Sequence, residues 1–148
     1  MTVDVIIIQV ITSLIGTLGF CFLFNVRGKK LVFASIGGAL SWLLFLVLGF
    51  WIENEPLRYF IVSLCSTVYA EILARVLKTP ATTFSIITLV PLIPGGSLYH
   101  TMTTALSGNM EQFVPKLVYT IELAVALSLG LVIVTALFKR YTKLKQER

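Results

Sequence analysis

Four ionisable side chains lie within apolar stretches of the sequence, where a charge is costly unless it is protonated, paired or hydrated. Glu122 lies about nine residues into the last apolar segment, which predicts a position near the middle of a membrane. Glu71 and Arg75 are four residues apart and therefore share one face of a helix. His100 is the only histidine in the chain. These residue types indicate proton transfer or ion pairing inside a membrane.

Each of these groups has a functional and a structural interpretation. Glu122 either couples a process to protons or is a protonated glutamate that bonds a neighbouring helix. Glu71 and Arg75 form either an ion pair that fixes packing and topology or a cytoplasmic gate. His100 is a proton relay, a donor to a carbonyl freed by Pro94, or a residue at the outer interface. The candidates for proton coupling are Glu122, Glu71 and His100.

A proline–glycine motif interrupts the fourth apolar segment near its centre, with the sequence Pro91-Leu-Ile-Pro-Gly-Gly96. Proline removes a helical donor and clashes with the preceding turn, and no water in hydrocarbon replaces the lost bond. A break is therefore tolerated only where protein surrounds it or a water-filled cavity meets it. Secondary transporters place substrate and ion sites at such breaks, so transport is the leading hypothesis. The candidate residues of the substrate pathway are Pro91, Pro94, Gly95, Gly96 and Tyr99.

Composition predicts an integral membrane protein. The chain has 148 residues, of which 57% are hydrophobic and 13% charged, whereas soluble domains carry about 25% charge. No phosphate-binding loop motif occurs, which excludes direct ATP-driven transport by this chain alone. No nucleophile–base pair or metalloprotease motif favours an enzyme, and we predict no metal or cofactor. Cys21 and Cys65 are interpreted as small buried hydrophobes.

Five segments reach the length of about 20 residues that a membrane-spanning helix needs. They are roughly Val5–Asn25, Leu31–Ile52, Leu57–Val76, Thr82–Leu106 and Phe113–Phe138. We therefore predict an all-α integral membrane protein, a single transmembrane domain over residues 1–148, with five transmembrane helices and a broken fourth one. In the alternative, the fourth segment re-enters as a hairpin around Pro94, and the number of crossings becomes even.

Basic residues predict the orientation. With five spans, ten of the twelve lysines and arginines fall on one side, and only Arg58 and Lys116 fall on the other. Such a bias predicts a cytoplasmic C-terminus and an N-terminus outside. The net charge of +5 is concentrated in a basic tail directly after the last span, which indicates an anchor on anionic lipid rather than nucleic-acid binding. The ten are Arg27, Lys29, Lys30, Arg75, Lys78, Lys139, Arg140, Lys143, Lys145 and Arg148.

Small and hydroxyl residues recur at helical spacing on the first two spans, and we favour helix packing over pathway lining for both sets. The set on the first span is Gln9, Thr12, Ser13, Gly16 and Gly19. The set on the second span is Gly37, Gly38 and Ser41.

Three stretches resemble the threonine/serine exporter family, specifically its small five-helix module. The most specific is Leu89-Val-Pro-Leu-Ile-Pro-Gly-Gly-Ser-Leu-Tyr99. The others are Gly19-Phe-Cys-Phe-Leu-Phe-Asn-Val26 and Ala70-Glu-Ile-Leu-Ala-Arg75, the latter followed by Thr79-Pro-Ala-Thr82. The resemblance covers most of the chain, and it carries Pro91, Pro94, Gly95, Gly96 and Tyr99 as a signature without assigned roles.

The resemblance implies a secondary exporter of threonine and serine, or of a small dicarboxylate such as succinate, in the prokaryotic cytoplasmic (inner) membrane. It further implies that the module is either half of a ten-helix exporter or a separate subunit. Because five spans cannot divide into equal halves, we expect a larger transmembrane exporter subunit as partner, a homo-oligomer, or both. The alternative is a non-transporting structural subunit that stabilises a membrane partner.

Overall fold

The structure, a computed structural model, describes residues 3–146, with side chains to residue 144, and this part of the chain is helical without strands. A 3₁₀ turn, Val90–Leu92, separates the fourth helix from the fifth. The helices are α1 (Val3–Leu23), α2 (Lys29–Leu48), α3 (Glu55–Val76), α4 (Ala81–Leu89), α5 (Gly95–Leu106) and α6 (Met110–Gln146). Four of them are long and apolar enough to cross a membrane, and α4 and α5 together form a fifth candidate, bent by 61°. The predicted all-α class with a broken fourth span is confirmed.

Local sequence sets the ends of these helices. Asn54 caps α3, because its side-chain oxygen accepts the N–H of Leu57 at 3.0 Å, and Pro56 occupies the first turn, where its missing N–H costs little. The turn between α1 and α2 contains Asn25 and Gly28, both with positive φ. The last helix continues beyond the predicted end at Phe138, so Lys139, Arg140 and Lys143 lie on a helical extension. Lys145 shares that helix without a described side chain, and Arg148 lies outside the described residues.

Helix α3 lies at the centre and packs against α2, α4 and α6. The α3 and α6 helices run parallel, because Glu55 at the start of α3 accepts a hydrogen bond from Tyr119, and Arg75 near its end bonds Thr142. The segment between them must therefore cross from one end of the bundle to the other. Two hydrogen bonds join α5 to the first part of α6, one between Thr101 and Thr120 and one from Lys116 to Thr104. They show that α5 runs antiparallel to the start of α6. These contacts favour a broken span over a re-entrant hairpin around Pro94.

The basic segments between spans share one end of the bundle, hereafter the basic end. Val26 lies in the first connection and Ala34 follows it on α2. Both belong to the same core cluster as Ala74 and Phe84, which flank the third connection. The hydrogen bonds of Arg75 add the end of α6 to this group. The charge asymmetry predicted from sequence is therefore present in three dimensions, while the side of the membrane that this end occupies stays a prediction.

Glycines on α2 and α6 allow close helix contacts. A Cβ added at Gly38 would overlap the Thr17 side chain of α1, and one added at Gly37 would lie 2.5 Å from Tyr69 and Thr88. The Ser41 hydroxyl bonds Ser66 of α3 at 2.7 Å. The prediction of helix packing is thus confirmed for the second span.

The two glycines of the first span make no close helix contact within this chain. No atom lies within 4 Å of a Cβ added at Gly16 or Gly19, so packing of these residues against a partner stays a prediction. Helix α1 meets α2 through Thr17 and Cys21, which are fully buried. The prediction of burial is wrong for Cys65, which is exposed on α3. A span that faces lipid or a partner has the same apolar composition as a span that faces its own chain, so the sequence does not distinguish the two.

Candidate functional site

The break between α4 and α5 consists of the 3₁₀ turn and two residues outside helical geometry. Pro91 lies in the turn, Ile93 is extended with φ −61° and ψ 122°, and Pro94 precedes α5 with φ −74° and ψ 60°. The N–H of Leu98 donates to the carbonyl of Pro94 at 3.0 Å, while no side chain caps the start of α5. The N–H of Gly95 donates to the carbonyl of Ile93 at 2.6 Å. The N–H groups that follow it at the helix start lack intrahelical acceptors, so the break presents donors in the middle of the candidate span.

Gly95 and Gly96 form the first turn of α5 and are exposed on the surface of the chain. Neither has a positive φ, and no atom lies within 4 Å of a Cβ added at either position. Neither backbone strain nor close packing within this chain therefore requires glycine here. Pro94 beside them is buried. The open space next to the glycines is available to a substrate or to another protein.

A groove of about 310 Å³, hereafter the break groove, lies between the break and the polar face of α1. Its lining includes Gln9, Thr12, Ser13, Gly16, Trp42 and Pro91. The Trp42 Nε1 donates to the Gln9 side-chain oxygen at 3.3 Å, and the Ser13 hydroxyl is buried without a hydrogen-bond partner among the described residues. The polar residues of the first span thus line a groove at the break, whereas their spacing in the sequence favours helix packing.

Tyr99 and His100 lie on the exposed surface of α5, with their rings in edge contact at a centroid distance of 5.6 Å. Within residues 3–144, the imidazole of His100 makes no hydrogen bond, and its backbone carbonyl accepts from Thr104 at 2.6 Å. The carbonyl one turn before Pro94 belongs to Val90, and it accepts the N–H of Ile93 instead. The expected bond from His100 to a carbonyl freed by Pro94 is therefore absent from the described part of the chain.

Glu122 is exposed on α6, and no described side chain within 3–144 bonds or pairs with it. Gly130 lies against Ser63 in the middle of α3, so Glu122 lies about 12 Å from that level, towards Tyr119 and Glu55. The position of Glu122 near the middle of a membrane stays a prediction.

A second cavity, hereafter the basic groove, has a volume of about 680 Å³ and lies between α4 and α6, with α3 as its floor. Glu71 is 7% exposed on this floor and forms an ion pair with Arg75 at 3.2 Å. Arg75 also donates to Thr142 at 3.1 Å and lies 4.4 Å from the ring centre of Phe138. The Glu71–Arg75 pair therefore joins α3 to α6 at the basic end, in a position that suits either packing or gating.

Sequence reasoning missed two further residues of the basic groove. Ser85 is 3% exposed, and its hydroxyl has no hydrogen-bond partner among the described residues. Lys139 lines the same groove, although its sequence position indicated only a lipid anchor. The spacing of Thr82 and Ser85 on α4 was the available signal, since residues three apart share a helix face and both line the groove.

Among the residues that the structure describes, no three His, Cys, Asp or Glu side chains group closely enough to hold a metal ion.

Comparison with known proteins identifies the family. No curated protein and no solved structure matches the chain significantly. Residues 9–137, which include the break, the Glu71–Arg75 pair and Glu122, match the sequence profile described as Threonine/Serine exporter, ThrE. The chain therefore belongs to the threonine/serine exporter family, and the resemblance noted from its motifs is confirmed.

Proposed function

We propose that this chain is the small membrane subunit of a secondary exporter for small metabolites, threonine and serine or a small dicarboxylate such as succinate. It works with a larger transmembrane subunit, as a homo-oligomer, or both, in the prokaryotic cytoplasmic membrane. Family membership makes the chain a transporter-type membrane protein. The observation that carries the proposal is the broken span, whose 3₁₀ turn lies beside the break groove within the bundle.

The helix ends at the break suit an amino acid or a carboxylate. The start of α5 offers N–H dipoles that attract a carboxylate, and the end of α4 offers carbonyls that attract an ammonium group or a cation. The break groove adds the unpartnered hydroxyl of Ser13 and the amide of Gln9. A zwitterion or a small dianion would replace the water that these groups otherwise need.

Exposed polar groups on the surface of the chain favour the presence of a partner protein. Gly95, Gly96 and Glu122 are exposed on the outside of the bundle. A carboxylate, and backbone N–H groups without an acceptor such as that of Gly96, are costly against hydrocarbon, so another protein or a water-filled passage covers them. A larger subunit or a second copy that closes around α5 and α6 would turn this surface into a lined pathway.

Proteoliposomes test the proposed function directly. Radiolabelled threonine, serine and succinate are supplied to vesicles that contain this chain alone, the candidate larger subunit alone, or both. Export that requires both proteins is the expected result. Equal transport by the larger subunit alone would show that this chain is a structural subunit, which is the alternative proposal.

Reporter fusions test the orientation that the basic residues predict. A reporter that is active only in the cytoplasm should give signal when fused after Arg148 and none when inserted after Asn109, which lies between α5 and α6. The insertion serves as the matched control because both fusions carry all of α1 to α5. Signal from the Asn109 fusion would reverse the proposed orientation.

Glu122→Gln tests the proposed proton coupling. The substitution keeps the shape of the side chain and removes the proton-binding group, so the pH dependence of export should flatten while assembly is unchanged. Glu111→Gln is the matched control, because Glu111 lies in the first turn of the same helix. A pH profile identical to that of the wild type would remove Glu122 from the coupling mechanism.

A further inference from the structure

The basic groove combines charge and apolar surface in a way that fits one ligand chemistry. Its lining contains three basic residues and one acidic residue, so the groove carries an excess of positive charge. The acidic residue, Glu71, already pairs with Arg75. Ile86, Leu131 and Val132 form apolar parts of the wall. The volume of about 680 Å³ lies within the range of small-molecule sites.

Ser85 is the independent observation that points to a ligand. A buried hydroxyl without a partner costs about 1–3 kcal/mol, and serines in helices normally bond a carbonyl one turn earlier. The Ser85 hydroxyl makes no such bond, although it lines the groove and is almost fully buried. Thr88, one turn further on the same helix, does bond the carbonyl of Phe84 at 2.9 Å. A ligand oxygen in the groove would satisfy Ser85.

We propose that the basic groove binds the carboxylate of a small metabolite, with Lys139 and Arg75 supplying charge and Ser85 donating a hydrogen bond. The assignment rests on the proposed exporter function and gives it a site at the basic end, one half-span from the break. Arg75 is the mobile element, because its guanidinium can exchange the Thr142 hydroxyl for a ligand oxygen while it keeps Glu71. Glu71 remains available to an ammonium group of the same ligand.

The depth of the polar groups favours a metabolite over an anionic lipid. A phospholipid headgroup would bind at the rim, near Lys139, and its acyl chains would leave the groove sideways. Glu71 and Ser85 are instead buried on the floor and wall of the groove, 7% and 3% exposed.

Binding to the full chain in phosphatidylcholine nanodiscs tests the site. Radiolabelled succinate and L-threonine are the probes, and unlabelled succinamide and L-threoninamide, which lack the carboxylates, are the competitors. We expect at least one probe to bind and neither amide to displace it. The two probes separate a dicarboxylate from an amino acid, and phosphatidylglycerol in the discs separates both from a lipid. A chain that binds neither probe, or a probe that its amide displaces equally well, would overturn the proposal, as would probe binding that phosphatidylglycerol abolishes.

Ser85→Ala gives the discriminating variant, because stability and binding should change in opposite directions. Removal of an unpartnered hydroxyl should leave the thermal midpoint equal or higher, while affinity for the probe falls about ten-fold. The matched control is Ser35→Ala, whose hydroxyl bonds the Leu31 carbonyl at 2.8 Å and whose loss should lower stability without changing affinity. Wild-type affinity in Ser85→Ala would reject its role.

Lys139→Gln should weaken binding about five-fold, as expected for a partly exposed charge. Lys78→Gln is its control, because Lys78 follows α3 at the same end and does not line the groove. Wild-type affinity in both Lys139→Gln and Ser85→Ala would place any binding elsewhere. If the same two variants also export normally with the partner, the site fails and the exporter function stands. If export never depends on this chain, the proposed function fails whatever the groove binds.

Discussion

Gly130→Leu is expected to prevent the packing of α3 against α6 and to leave little folded protein. The two helices meet so closely here that an added Cβ would overlap the Ser63 hydroxyl. It would also lie 2.9 Å from the Ser63 Cβ and 3.0 Å from the backbone nitrogen of Leu64, and neither atom can rotate away. Lipid chains are as apolar as leucine, so close packing of small residues, rather than water exclusion, holds membrane helices together. The lost contact therefore has no substitute.

A graded series makes the effect measurable. Gly130→Ala adds only the methyl group and should cost about 1–3 kcal/mol, a typical cost of overpacking, whereas leucine should cost more. Gly19→Ala is the matched control, because Gly19 is a helical glycine with open space at its Cβ. Alanine favours helices over glycine, so the control should keep or raise stability. Denaturant titration of the detergent-purified chain reports both values, and equal stability of Gly130→Ala and Gly19→Ala would contradict this account of the contact.

Features that depend on residues close to one another in the sequence could be predicted from the sequence. The helices follow from runs of apolar residues, and the break follows from Pro91 and Pro94, whose backbone chemistry is independent of their surroundings. The Glu71–Arg75 pair follows from a spacing of four, which places both side chains on one face of α3. Each of these depends on distances along a single helix, and the helical repeat fixes such distances.

Features that depend on the register between helices could not be predicted. The level of Glu122 relative to α3 requires knowledge that Gly130 lies opposite Ser63, and nothing local in either helix specifies that pairing. The basic groove requires α4 and α6 to pack on α3 without closing on each other. The role of Lys139 in that groove depends on the continuation of α6 past the apolar segment as a helix.

The environment of an exposed residue is a second limit. Gly16 and Cys65 are exposed on the surface of the chain, and the apolar residues next to them in the sequence did not indicate this exposure. A soluble helix reveals its exposed face by polar residues, whereas a membrane helix is apolar towards lipid and protein alike. The glycines therefore predicted close helix contacts on both α1 and α2, but within the chain only the glycines of α2 make such contacts.

Gly95→Ala and Gly96→Ala are each expected to abolish export while the protein keeps its fold. Both residues lie in the first turn of α5 without positive φ, and an added Cβ meets no atom of this chain. Alanine should therefore be tolerated, and by its helix propensity it should stabilise the chain by up to about 1 kcal/mol. Under the proposed function the break brings backbone N–H groups to the substrate, and one added methyl group obstructs that approach. Function and stability then change in opposite directions.

The opposite changes in export and stability distinguish an obstructed substrate site from a folding defect and from an assembly defect. A folding defect would lower the thermal midpoint of the purified variants, and a defect in assembly would lower the amount of partner that co-purifies with them. We expect a thermal midpoint equal to or higher than that of the wild type and an unchanged amount of co-purified partner, while radiolabelled threonine or succinate is no longer exported. Gly19→Ala, which adds the same methyl group to open space on α1, should export normally. Wild-type export by both Gly95→Ala and Gly96→Ala would exclude the break as the substrate site, because at both positions the methyl group occupies the space that a substrate would need.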